Sequence, residues 1–207
     1  MDIIAFGTPF GLAFASGLNA YLPLLSFALS VRWLRLYTVN PHFAFITQNW
    51  FMAALVMLTL LDFVADKIPL IDHVWNAIHT VVRPIAGAVV AVVASSHLLP
   101  VAYITAVASH SGPGAAIAAL SAIPVTGVGL LVILIIGGGL ATLSHTSKLT
   151  ARFVSTITTA SFLNGVLSLV EDILVFIVIL LSLFASAVML ILLVLLVLFL
   201  ASRFIRT

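Results

Sequence analysis

This 207-residue chain has no cysteine and very little charge. Without cysteine, disulfides and thiolate metal sites are excluded, and the redox compartment is left open. Only 7% of residues are Asp, Glu, Lys or Arg, against about 25% in an ordinary soluble domain. The net charge of +2 is too small to argue for nucleic acid as a partner. The sequence contains no GxSxG, no GxxxxGK[ST], no HExxH and no compact histidine pair. No nucleophile–base pairing is visible, so the chain reads as a non-enzyme with no evident cofactor. Its apolar runs are continuous, which argues against the alternating strands of a β-barrel. The first ten residues carry one acid and no Lys or Arg. They lack the basic flank of a secretory signal and read as the start of the first helix.

What is present is hydrocarbon. Hydrophobic residues make up 63% of the chain, and residues 173–201 hold no charge at all. That run exceeds the roughly 20 residues needed to cross a bilayer. The expected fold is all-α: a polytopic transmembrane bundle forming a single domain over residues 1–207, with the lipid bilayer as its first partner. About six spans are expected, near 5–31, 50–66, 85–108, 125–143, 151–168 and 172–202. Residues 68–83 read as a short amphipathic helix closed by Arg83-Pro84, and 113–124 as a re-entrant segment bounded by Pro113 and Pro124. The terminal run would measure about 45 Å as one helix, so it must tilt strongly or bend near Ser182–Ser186. Arg32, Arg35 and the aromatic residues of loop 32–49 resemble a cytoplasmic interface, as do Arg203 and Arg206. Five spans between those two places would put them on opposite sides. The re-entrant segment removes that conflict.

Seven ionisable residues fall between Asp62 and Arg83. Such groups are expensive at membrane depth and tend to face a bundle interior or a wet cavity. Asp62 and Asp66 share a helix face, with Lys67 following. Pro69 then stops the helix, and Asp72 is placed to cap the next one. Asp72, Asn76, His79 and Arg83 form a polar stripe, with Val74, Trp75, Ile78 and Val82 on much of the opposite side. The competing interpretation of this stripe is an interfacial helix with its polar face to water. His145, Lys148 and Arg152 share a second face. Glu171 and Asp172 precede the uncharged run and could simply cap it. Asn19 and Asn164 lie in a weak internal echo, Ser16–Leu24 against Ser161–Leu169. Inverted repeats often frame transport sites, although these two copies are 145 residues apart.

Acids and bases in this set nearly balance. An unpaired buried charge costs several kcal/mol, so the two clusters should meet, and both amides should point toward them. The residues of an ion or ligand pathway are then Asn19, Asp62, Asp66, Lys67, Asp72, Asn76, His79, Arg83, His145, Lys148, Arg152, Asn164, Glu171 and Asp172. Oxygen and nitrogen ligands for a metal exist among them without a recognisable metal spacing.

The segments GLNAYLPLL (17–25) and FVADKIPLIDHVWNAIHTVVRPIAGA (63–88), with the later pattern His145, Lys148, Arg152, Asn164, Ser168, Glu171 and Asp172, resemble a bacterial integral-membrane family classed as a domain of unknown function. The resemblance covers nearly the whole chain. It implies a multi-pass protein of the bacterial inner (cytoplasmic) membrane and carries no activity. Two functions are expected. One is a small-solute or ion transporter or channel. The other is a non-catalytic scaffold or accessory subunit that grips a homo-oligomeric or membrane-complex partner.

Overall fold

A computed structural model describes residues 3–67, 69–96, 125–159 and 164–205. Within those ranges the side chains of 3–4, 69–74, 125–128, 158–159, 164–165 and 204–205 lie outside the description. Among the described residues there are seven α-helices and no strand. They are α1 (Gly7–Ser16), α2 (Leu22–Arg32), α3 (Asn49–Ala65), α4 (Pro69–Ser95), α5 (Val125–Thr159), α6 (Asn164–Phe184) and α7 (Ser186–Ile205). Two 3-10 helices, Ile3–Phe6 and Pro41–Thr47, precede α1 and α3. Four helices are long and apolar enough to cross a membrane, or five if Pro41–Thr47 and α3, bent by 58°, form one span. This is the build of a multi-pass membrane protein, with slightly fewer spans than the six expected.

The first apolar run does not cross as one span. The chain breaks after Ser16 and doubles back. Tyr37, just past the end of α2, returns its hydroxyl to 3.2 Å from Thr8 in the first turn of α1. Leu12, Ala13 and Ala15 of α1 pack in one core with Phe27 and Ala28 of α2. At 10 and 11 residues, each arm measures about 15 Å, half a bilayer. Arg35 ends the hairpin in the left-handed region, with φ 52°, and the Leu36 amide after it reaches back to the Ser30 carbonyl at 3.1 Å.

Two expected boundaries are absent. Helix α4 runs straight through Pro84, so the amphipathic helix 68–83 and the next span are one element. Membrane helices tolerate an internal proline when neighbours satisfy the freed backbone groups. Helix α5 likewise runs from the span expected at 125–143 into the first half of the one expected at 151–168. The polar stretch between them is helical too, and Thr142, Thr146, Ser147 and Thr150 each bond a carbonyl one turn earlier. That habit hides a hydroxyl without leaving the helix. Helices α4 and α5 cross at Gly87 and Gly137. A Cβ on either would stand within 3 Å of the other's carbonyl, at 2.9 and 2.8 Å. Only glycine permits this approach. The terminal run is broken within Ser182–Ser186, where Ala185 separates α6 from α7, and each of the two is long and apolar enough to cross, against the one span expected at 172–202. Segment 113–124 lies outside the described residues.

Large apolar side chains such as Leu60, Ile135, Phe176 and Leu198 point outward, with the exposed hydroxyls of α5 among them. Only 11% of the α7 window is buried, so that helix faces lipid or another protein.

Candidate functional site

The tip of the α1–α2 hairpin, Gly17–Tyr21, sits against a cluster of charges from α3, α4, α5 and α6. Breaking a helix frees backbone groups, and here charged side chains satisfy them. Arg83 donates to the Gly17 carbonyl and Lys148 to the Leu18 carbonyl, both at 3.3 Å. These cations stand at the negative end of α1. The Ala20 amide, near the positive end of α2, donates to Asp62 Oδ2 at 3.3 Å. Both half-helix dipoles are thus met by the favourable sign. Asn19 closes the turn, accepting from the Tyr21 and Leu22 amides at 3.1 and 2.9 Å. Gly17 is needed at the tip, because a Cβ there would collide with the Ser144 hydroxyl and the Ala141 carbonyl.

Six charges form the cluster, three of each sign. Asp62 and Arg83 are fully buried and lie 3.3 Å apart. Asp66 pairs with Lys148 and lies 3.8 Å from Arg83 and 3.6 Å from Arg152. Glu171 receives Arg152 through two bonds, at 3.2 and 2.6 Å, and lies 3.4 Å from Lys148. Bidentate guanidinium–carboxylate pairing is the strong geometry for this contact. Asp66 follows the last residue of α3. At the outer margin Lys67 and Asp172 pair at 2.7 Å, with side chains 52% and 24% exposed.

Hydrogen-bond direction fixes the form of both buried histidines. Arg83 can only donate, so His145 Nδ1, 3.2 Å away, accepts. The proton of neutral His145 is then on Nε2, which faces the Thr80 oxygen at 3.4 Å. Thr80 gives its own proton to the Asn76 carbonyl. His79 is the reverse. Its Nδ1 lies 2.9 Å from the Trp75 carbonyl, which can only accept, so Nδ1 carries the proton. His79 Nε2 has no hydrogen-bond partner and stands 3.6 Å from Asp62 Oδ1.

The residues picked out in the sequence divide into three groups. Asp62, Asp66, His79, Arg83, His145, Lys148, Arg152 and Glu171 come together, with Asn19 and Asn76 buried beside them. Lys67 and Asp172 meet at the margin. Asp72 and Asn164 belong to described helices, but their side chains lie outside the described residues, as does any capping role of Asp72. Asn164 is the first residue of α6, not an interior position of a span at 151–168. Glu171 and Asp172 therefore sit two turns inside α6 and do not cap a helix.

Trp75 was placed on the apolar side of its helix, yet it belongs to the site. It donates to Asp62 Oδ1 at 2.8 Å and its ring lies 4.7 Å from that of His79. The signal was available, since Trp75 and His79 are one turn apart and share a face. Among the described residues no group of three or more His, Asp or Glu is placed to hold a metal ion.

Residues 6–206 match a family described as Domain of unknown function (DUF4126). The chain belongs to that family. No curated protein and no solved structure matches it.

Proposed function

We propose that this protein is a small-solute or ion transporter of the bacterial inner membrane, with the charged cluster as its pathway. One observation carries the reading. A chain of contacts of 3.8 Å or less leads from the buried helix break through His79, Asp62, Arg83, Asp66, Lys148, Glu171 and Arg152. Asp66 and Glu171 are each followed in sequence by a member of the exposed Lys67–Asp172 pair. A polar route thus extends from the hairpin tip to the margin of the bundle. Interrupted helices whose ends meet charges at membrane depth are a recurring way to build a transport site. Buried ion pairs are also weak devices for stability alone, which favours a use beyond packing.

A second reading is a scaffold or accessory subunit whose cluster only clasps helices. It is favoured by complete pairing, since each of the six charges has an opposite charge within 3.8 Å. The weakly buried α7 would then seat the homo-oligomeric or complex partner. A liposome flux screen with small cations and anions separates the two. Transport predicts flux that His79→Ala abolishes while the protein keeps its expression and melting behaviour. The scaffold predicts no flux for any ion tested.

A further inference from the structure

Among the buried cluster atoms with no hydrogen-bond partner, two would be satisfied by one added proton. They are His79 Nε2 and Asp66 Oδ1. We infer that His79 Nε2 is a proton-binding site, and that its occupancy moves Arg83 from Asp62 to Asp66. This deepens the transport reading by naming the coupling ion, and it rests on that reading only for what the proton drives.

The argument is geometric. His79 is 1% exposed. Its Nδ1 proton is committed to the Trp75 carbonyl, so Nε2 presents a lone pair toward a carboxylate oxygen 3.6 Å away. Two acceptors facing each other are unfavourable. A proton on Nε2 converts the contact into a charge-assisted hydrogen bond. The same oxygen, Asp62 Oδ1, already receives Trp75 at 2.8 Å and Arg83 at 3.3 Å. A third donor therefore competes with Arg83. Arg83 has a second seat, because Asp66 Oδ1 lies 3.8 Å from its Nη2. In leaving Asp62, the guanidinium would also pull on the Gly17 carbonyl at the hairpin tip. A proton bound at His79 is thereby transmitted to the interrupted helix.

The other groups around His79 leave the role to it. Asp62 and Asp66 face it from α3, and Arg83 lies on its own helix. His145, on α5 with Lys148, faces it too, but holds its Nδ1 lone pair against Arg83 and has no free site for a second proton. Tyr21 presents its ring edgewise at 6.0 Å from the hairpin.

The test uses the full chain in detergent, without substrate or gradient. Trp75 lies tilted against His79, with ring centroids 4.7 Å apart, and reports its charge through fluorescence once Trp33 and Trp50 are replaced by Phe. The expected result is one titration, lost in His79→Gln and retained in His145→Gln. Asp66→Asn should move the midpoint to lower pH, because Arg83 loses its second seat. Persistence of the titration in His79→Gln, or its absence in the parent, overturns the proposal. Nitrogen-15 NMR of the unsubstituted protein gives a check that needs no variant. At alkaline pH one of the six histidines should hold its proton on Nδ1, and no such signal would equally overturn it. Flux lost with the titration intact sinks transport and leaves the proton site. Flux intact without a titration sinks the proton site alone.

Discussion

Among the described residues, the helix breaks at Ala185 and at Gly17–Tyr21 are repaired with different chemistry. At Ala185 the carbonyls of Ser182 and Leu183 accept from the hydroxyls of Thr8 and Tyr37, at 2.7 and 2.6 Å. At Gly17–Tyr21 the freed groups are met by Arg83, Lys148 and Asp62. The problem is the same, backbone groups without helical partners in apolar surroundings. Neutral hydroxyls solve it at one end, so charge is more than that task requires at the other. The surplus is the physical ground for looking for function at the hairpin tip.

Substitutions can break this comparison. The largest effect should come from Arg83→Ala, which strands Asp62 in the interior. A loss of about 3–5 kcal/mol is expected, measured by unfolding in detergent. A stable and fully active Arg83→Ala protein would remove both readings of the cluster. Next, Asp62→Asn combined with Arg83→Met takes away both charges. It should recover most of the stability lost in Arg83→Ala and still show no flux. Recovery of flux would make the charges mere packing.

At the helix crossing, Gly137→Leu should cost about 1–3 kcal/mol through overpacking, since its Cβ would press on the Gly87 carbonyl. Tyr37→Phe should cost about 1 kcal/mol, the usual worth of one hydrogen bond, with flux unchanged. That variant sharpens the contrast directly, because it damages the neutral repair alone. Smallest of all, Lys67→Ala removes an exposed pair and should change stability by less than about 1 kcal/mol.

The cost of an isolated buried charge made the meeting of acids and bases legible from sequence. The helical membrane class followed from the apolar runs, and an interruption near Ser182–Ser186 was one of two outcomes that the length of the last one allowed. The hairpin was not legible, because hydropathy counts apolar residues and is blind to direction. Two half-length arms over 5–31 therefore read as one span. Pro84 and the polar stretch after Leu143 looked like ends. Their helices continue through both, and a local pattern shows neither tertiary packing nor a hydroxyl bonded back to its own helix. Trp75 was missed because an indole counts as apolar, while its N–H is a donor that must find an acceptor when buried.

The half-length hairpin has an electrical consequence. Its tip lies inside the bundle, so a charge arriving there from either face has crossed only part of the transmembrane voltage. A full crossing is worth about 2.3 kcal/mol per elementary charge for each 100 mV, and arrival at the tip takes a fraction of that. Occupancy of His79 should therefore respond to membrane potential as well as to pH, whereas the Lys67–Asp172 pair at the margin should ignore it.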